Sequence, residues 1–282
     1  MVEIGAVGTP WRASAMAAGA SIAAESEGAH AFWYPDVGAD STGVSPSEWR
    51  ELAGELARLV PDPSDVADPI VSTVVALMVT RRMRVGVLGW MPGPAVERAA
   101  QTVASLADLA PGRAVVACSG PDDVLEGFAK ALRPDLDLEF AVYGADPKVA
   151  SGLGWSWIGS GFGAAALVGR ARDAGVTESV GIHLRVIAHT DGSIARAGVD
   201  APLIRALGVD PAGDGIVVGT PTDVDKAIDE YVEAGVTRII LENLLPLGAP
   251  DQLEGSQVAV RGSIRRARLR YRVSPGGSED VR

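Results

Sequence analysis

Residues 68–120 read DPIVSTVVALMVTRRMRVGVLGWMPGPAVERAAQTVASLADLAPGRAVVACSG. The apolar run Ile70 to Thr80 predicts a helix, which feeds a short strand from Met83 to Gly89. Pro92, Gly93 and Pro94 make a loop, and a second helix follows from Pro94 to Leu109. Gly112 breaks it before a strand from Arg113 to Cys118, which ends in Ser119-Gly120. This is helix, strand, helix, strand at the spacing of parallel-sheet proteins.

The same alternation extends both ways. Upstream, Glu3 to Gly8 predicts a strand, Arg12 to Glu27 a helix closed by Gly28, and Ala31 to Tyr34 a second strand ending at Pro35-Asp36. Between these units, 47–59 reads as a helix with Ser47 as N-cap, after a polar loop. Downstream, strands are expected at Leu136 to Val142, Trp155 to Ile158, Ser179 to His189 and Val236 to Glu242. Helices are expected at Pro121 to Leu132, from Pro147, at Ser160 to Ala174, Ala201 to Leu207 and Thr220 to Ala234. Eight strands, each followed by helix, in about 245 residues predict a single-domain α/β (β/α)8 TIM barrel. An open doubly wound sheet is the alternative, but no G-x-G-x-x-G follows the first strand. The barrel is assigned to 1–248 and a C-terminal extension to 249–282, with the last residues read as disordered.

Composition narrows the function classes. The net charge of −11 opposes a phosphate backbone, so nucleic acid is not the expected partner. Aromatics are only 5%, so Ala, Val, Leu and Ile must build the core. The single cysteine, Cys118, excludes an intrachain disulfide and reads as a core residue at the end of a buried strand. The three histidines, His30, His183 and His189, have no metal-ligand spacing. His30 and His183 read as structural and core, while His189 lies nearer the functional end. No basic leader opens the chain and no apolar run reaches the roughly 18 residues of a membrane span, so the expectation is a cytoplasmic protein without a membrane partner. The basic run Arg261 to Arg272 is expected to be a terminal helix or strand docked on acidic neighbours.

Five segments, in order, resemble the bacterial luciferase-like family of flavin and deazaflavin (F420-dependent) oxidoreductases. AAESEGAHAFWYPD (23–36) resembles its acidic helix end, glycine and aromatic strand ending in Asp. DPIVSTVVALMVTRRMRVGVLG (68–89) resembles the helix and strand before its cofactor-facing bulge. GPAVERAAQTVASLADLAPGRAVVACSG (93–120) resembles the next unit, GADPKV (144–149) its "GPKM" turn, and GTPTDVDKAIDEYVEAGVTRIILE (219–242) its last helix and strand.

The resemblance implies an oxidoreductase with a flavin-type ring over the C-terminal ends of the barrel strands. It implies coenzyme F420 with hydride transfer to or from a small organic substrate, since the GPKM-like turn is more typical of deazaflavin members. An FMN-dependent monooxygenase is the alternative, as is a diverged non-catalytic member acting as a binding or assembly protein. Many members are homodimers. Catalytic candidates are Asp36 and Glu242. Asp36 reads equally as a loop cap, and Val37 stands where deazaflavin members often carry histidine. The ring platform is assigned to Gly86, Val87, Leu88, Gly89 and Trp90, with Met91 next to it. Ser119 and Gly120 fall where the family's loop meets the cofactor tail. Gly144, Ala145 and Lys148 match the phosphate turn, although Lys148 reads equally as a solvated helix lysine. Ser160, Gly161 and Gly163 are a second phosphate loop. No metal ligand is assigned.

Overall fold

The structure, a computed structural model, describes residues 2–8, 14–36, 51, 68–93, 95–144, 146–201, 204, 215–245 and 252–271. Strands β1 (Glu3–Val7), β2 (Ala31–Pro35), β3 (Arg84–Trp90), β4 (Ala114–Cys118), β5 (Glu139–Tyr143), β6 (Ser156–Ser160), β7 (Val180–Ala188), β8 (Val217–Gly219) and β9 (Arg238–Asn243) form one parallel sheet. Each of β1 to β7 pairs with the next, β7 also pairs with β9, and β9 returns to β1. Eight strands thus close a barrel, as the helix–strand alternation predicted. The short β8 hangs on the upper end of β7, at Val186 to Ala188, outside the ring. The eighth predicted strand is β9.

The helices are α1 (Ser14–Glu27), α2 (Pro69–Val79), α3 (Val96–Leu109), α4 (Asp122–Ala131), α5 (Pro147–Leu153), α6 (Ala164–Asp173), α7 (Gly192–Gly198), α8 (Pro221–Ala234) and α9 (Leu253–Arg270). Local chemistry starts several of them. Asp68 caps α2 by accepting from the N–H of Ile70 at 2.7 Å, with Pro69 in the first turn. Thr220 and Asp223 form a reciprocal capping box on α8, and Gly235 stops it in the left-handed conformation. Asp191 caps the short α7 by accepting from the N–H of Ser193. The expected helices at 47–59 and 201–207 fall mostly outside the described residues, as does the polar tail. The basic run belongs to α9, where Arg261 pairs with Glu27, Arg266 with Asp225 and Arg270 with Asp229. Their acidic partners lie on α1 and α8, so α9 docks as its charges require. The acidic end of α1 also braces the backbone. The Glu25 carboxylate accepts from the N–H groups of Arg81, Arg82 and Met83, fixing the turn between α2 and β3. Burial works against its charge, but those bonds outweigh it and hold its pKa below the usual range.

Outward-facing strand residues pack under the helices. Val85, Val87, Val116, Cys118 and Trp157 belong to that layer, together with Leu106, Leu125 and Phe128 of the helices. Cys118 is buried, and burial pushes its thiol up, as expected of a core cysteine. Inward-facing residues form a separate cluster of Ala31, Trp33, Leu88, Val115, Ala117, Ala141, Ile158 and Ile240.

Trp33 dominates this interior. A Cβ at Gly5 would lie 2.8 Å from its Nε1, and one at Gly86 would lie 2.4 Å from its Cε3. The glycines on β1 and β3 make room for one indole. Below it, at the N-terminal end of the barrel, Glu3 and Glu139 alternate with Arg84 and Arg238. Arg84 and Arg238 each reach Glu3 at 2.7 Å, and Arg238 reaches Glu139 at 2.7 Å. Burial disfavours the Glu139 charge, but Arg238 and then Arg84 hold its pKa down to about 2.

This interior sets two expectations for stability. Gly86→Ala should cost about 1–3 kcal/mol in urea unfolding, the usual penalty of overpacking. Trp33→Leu in the same chain should recover part of that cost, and strict additivity would show that the two sites are not coupled. The depressed Glu139 pKa contributes stability that is complete above its ordinary value of 4.5 and is lost as pH falls toward about 2. Glu139→Gln should therefore destabilise the protein by roughly 3 kcal/mol at neutral pH. It should also flatten the acid limb of stability against pH; an unchanged limb would exclude this carboxylate as its source.

Candidate functional site

Above Trp33 the lumen becomes polar again. Strand alternation brings Tyr143 of β5, His183 and Arg185 of β7, and Glu242 of β9 to the C-terminal mouth. The Tyr143 hydroxyl lies 2.8 Å from His183 Nδ1. His183 Nε2 lies 3.1 Å from Glu242 Oε2, and Arg185 Nε lies 3.3 Å from the same oxygen. Both approaches to the carboxylate are close but off the ideal hydrogen-bond angle. His183 is buried at 4% exposure, while Glu242 and Arg185 open toward the mouth at 19% and 30%. Burial opposes the Glu242 charge, but His183 and Arg185 outweigh it and keep its pKa below the usual carboxylate range. Burial raises the Tyr143 pKa, so at neutral pH this group is a phenol with a proton to give. The Ser160 hydroxyl stands within hydrogen-bond reach of it.

The other wall of the mouth is the end of β3. The β3–β4 register shifts between Leu88 and Trp90, which makes a β-bulge at Gly89. Gly89 has φ +76°, and a Cβ there would lie 3.2 Å from the Tyr143 ring. Ser119 clamps the bulge by donating to the Gly89 carbonyl at 2.6 Å. Asp36 ties it from the other side, accepting from the N–H of Met91 at 3.4 Å while its own N–H donates to the Leu88 carbonyl. Burial, with Asp68 nearby, raises the Asp36 pKa against the Met91 bond.

The candidates drawn from the sequence therefore separate. Gly89, Ser119, Ser160 and Glu242 converge on the mouth around Tyr143. Asp36 straps the bulge. Leu88 lies in the lumen, but Val87 points into the helix layer. Gly86 is taken up by Trp33. Trp90 is turned outward by the bulge and sets its ring edge-on to Phe128 of α4, 5.7 Å between centroids. Met91 is exposed. Lys148 is also exposed, in an outer cleft with Asp122, Glu126 and Lys130. Ala145 lies outside the described residues. His30 accepts from the Ile4 N–H at the opposite end of the barrel, and His189 turns away toward Gly255 of α9.

Sequence reasoning missed Tyr143 and Arg185 and placed His183 in the core. The available signal was alternation: from Glu139 the inward positions of β5 are 141 and 143, and from His183 the next on β7 is 185.

Glycines leave space at the rim of this mouth. A Cβ added at Gly120 would meet only Met91, at 3.5 Å, and at Gly144 or Gly163 it would meet nothing within 4 Å. Gly163 is the N-cap of α6 and makes no side-chain cap bond, so the first N–H groups of that helix can take a phosphate. A cavity of about 160 Å3 lies between α1, α9 and the ends of β1 and β9, lined by Leu241 and Asn243 but not by these polar groups. Among the described residues no cluster of metal ligands occurs, and no helix is long and apolar enough to cross a membrane.

No protein-family model and no curated protein matches the sequence. Solved structures do match in fold. The coenzyme F420-dependent tetrahydromethanopterin reductase from Methanopyrus kandleri aligns at 14% identity and a TM-score of 0.61, covering 92% of this chain and 97% of the reductase. An F420-dependent secondary alcohol dehydrogenase, in complex with an F420-acetone adduct, aligns at 16% identity and 0.64, over 93% and 99%. A long-chain alkane monooxygenase aligns at 13% identity and 0.63, over 98% and 93%. At these identities the likeness is one of architecture: the chain has the (β/α)8 fold that these reductase, dehydrogenase and monooxygenase structures share.

Proposed function

We propose that this protein is a luciferase-like oxidoreductase that uses coenzyme F420 to move a hydride to or from a small organic substrate at the C-terminal mouth of the barrel. The observation that carries this reading is the Gly89 bulge. It sets backbone rather than a side chain at the mouth, in contact with the Tyr143 ring and beside the polar groups of β7 and β9. The fold shared with F420-dependent structures supports it. The cofactor supplies the hydride chemistry. The chain's own residues bind and orient: Gly89, clamped by Ser119 and Asp36, backs the ring, and the start of α6 after Gly161 and Gly163 holds a tail phosphate. Tyr143, His183, Arg185 and Glu242 face the reacting side. An FMN-dependent monooxygenase is the close variant, supported by the monooxygenase among the fold neighbours.

Equilibrating the purified protein with F420 and with FMN tests the reading. Micromolar binding of F420 alone supports it. Micromolar binding of FMN alone selects the variant, and binding of neither below the high-micromolar range would sink the enzyme reading. Gly89→Val puts a branched side chain against the Tyr143 ring at a φ such residues avoid. It should weaken ring binding by about tenfold or more, equivalent to about 1.4 kcal/mol.

A homodimer is part of the proposal. Helix α2 is apolar on both faces: Ile70, Ala76 and Leu77 are buried inward, while Val71 and Met78 are 50% and 71% exposed outward. Val79 and, on the adjoining α1, Ile22 extend the exposed face. A helix apolar all round calls for a second covering surface, and a twofold contact supplies it by setting the same face against itself. Met78→Glu should shift sedimentation from dimer to monomer. A wild-type protein that sediments as a monomer would remove the dimer from the proposal.

A further inference from the structure

At the end of the barrel opposite the mouth lies a cleft of about 490 Å3. Glu25, His30, Arg81, Arg82 and Arg268 line it, over a floor of Ala29 and Met83. Helix α9 shows what this cleft is missing. Arg261, Arg266 and Arg270 are exposed, and each has a carboxylate partner. Arg268 is less exposed than any of them, yet among the described residues it enters no ion pair, and its Nε is buried without a hydrogen-bond partner. Half-burying a guanidinium with no counter-charge is unfavourable. Even so, the chain makes room for it. A Cβ at Gly28 would lie 1.6 Å from Arg268 Nη1, so the guanidinium rests on bare backbone at the end of α1. That helix end offers only partial negative charge. Arg81 and Arg82, in the turn before β3, also have no ion-pair partner among the described residues.

The carboxylate in the cleft does not neutralise them. Glu25 is engaged by the N–H groups of Arg81, Arg82 and Met83. Burial disfavours its charge, those bonds restore it, and the cation that adds to them is Arg113, outside the lining. His30 accepts at Nδ1 from the Ile4 N–H, so its ring proton sits on Nε2.

We propose that this cleft binds a phosphate group as its dianion, held by Arg81, Arg82 and Arg268. Three guanidinium groups against one carboxylate leave two positive charges, which a phosphate dianion balances and a lone carboxylate does not. The planar guanidinium fork also matches pairs of phosphate oxygens. The bound group ties the turn before β3 to α9, across the end of α1. Its source is either inorganic phosphate or a phosphate monoester whose organic part lies over Ala29 and Met83. The site shares no residue with the mouth and is independent of the oxidoreductase reading.

The whole chain is titrated with inorganic phosphate and, separately, with glycerol phosphate, at constant ionic strength, while NMR follows the arginine Nε–H signals. The expected result is saturable binding in the millimolar range or tighter, with the Arg268 signal moving. Absence of saturable binding by both, or an equal movement with chloride, overturns the site. So does binding that leaves the Arg268 signal in place, because the phosphate then sits elsewhere, as at the start of α6. Tighter binding of glycerol phosphate supports the site with an ester as its ligand; equal or weaker binding supports it with free phosphate. Arg81 and Arg82 are exposed, so Arg81→Gln/Arg82→Gln leaves the fold intact. It should weaken binding about tenfold or more, equivalent to about 1.4 kcal/mol, and an unchanged affinity sinks the proposal. In Arg268→Gln the thermal midpoint should no longer rise with phosphate as it does in the wild type; an equal rise counts against the site. The groups facing the ligand are Arg81, Arg82, Arg268, Glu25 and His30. Phosphate affinity should fall as pH drops from about 8 to about 5.5, through the second ionisation of phosphate. Sulfate, a dianion throughout, controls for titration of Glu25 and His30. A phosphate affinity that does not change relative to sulfate overturns the dianion.

Discussion

One contact organises the barrel: the Trp33 indole laid across Gly5 and Gly86. It fills the middle of the lumen, so a ligand has no route through it. It also divides two polar clusters that look alike in composition. Below it, Glu3 and Glu139 face Arg84 and Arg238, every charge answered by two of the opposite sign. Arg238 stacks over the indole at 5.5 Å, a cation–π contact between the charged layer and the aromatic one, while the indole N–H itself is buried without a hydrogen-bond partner. Above it, among the described residues, Glu242 meets one permanent cation, Arg185, together with His183, whose other ring nitrogen meets Tyr143.

That difference in pairing is a difference in use. A carboxylate between two guanidinium groups is held ionised by partners that do not titrate. Its cluster can only be intact or broken, which suits a floor. A carboxylate facing an imidazole and a single guanidinium has fewer fixed partners, and the imidazole touches a phenol. The barrel thus has a charged floor closed on itself and a mixed polar mouth, with an apolar aromatic layer between them.

The fold was legible because its signals are local. Asp68-Pro69, Thr220-Pro221 with Asp223, and Gly235 mark helix ends within a few residues. Strand runs such as AVVAC are recognisable alone. The mouth was less legible because its residues meet only through sheet register. Tyr143 and His183 are 40 positions apart, and their contact depends on the pairing of β5, β6 and β7. Glycine was misleading for a different reason. Its lack of a side chain shows that space is needed, but the sequence does not say who fills it. At Gly86 the occupant is the chain's own Trp33, and at Gly89 it is the Tyr143 ring.

Trp90 shows how far one residue can move a side chain. Simple alternation along β3 makes 84, 86, 88 and 90 inward, which would put an indole into the lumen above Leu88. The bulge adds Gly89 to the strand without a partner on β4, and Trp90 then pairs with Cys118 rather than with a lumen residue. Its ring goes out to Phe128, and it is the Tyr143 ring that lies against the bulge on the lumen side. A bulge needs a residue that tolerates positive φ, and β3 has glycine there. The open mouth is therefore a consequence of backbone phase at a single position: Gly89 removes its own side chain from the site and, by shifting the strand by one residue, removes its neighbour's as well.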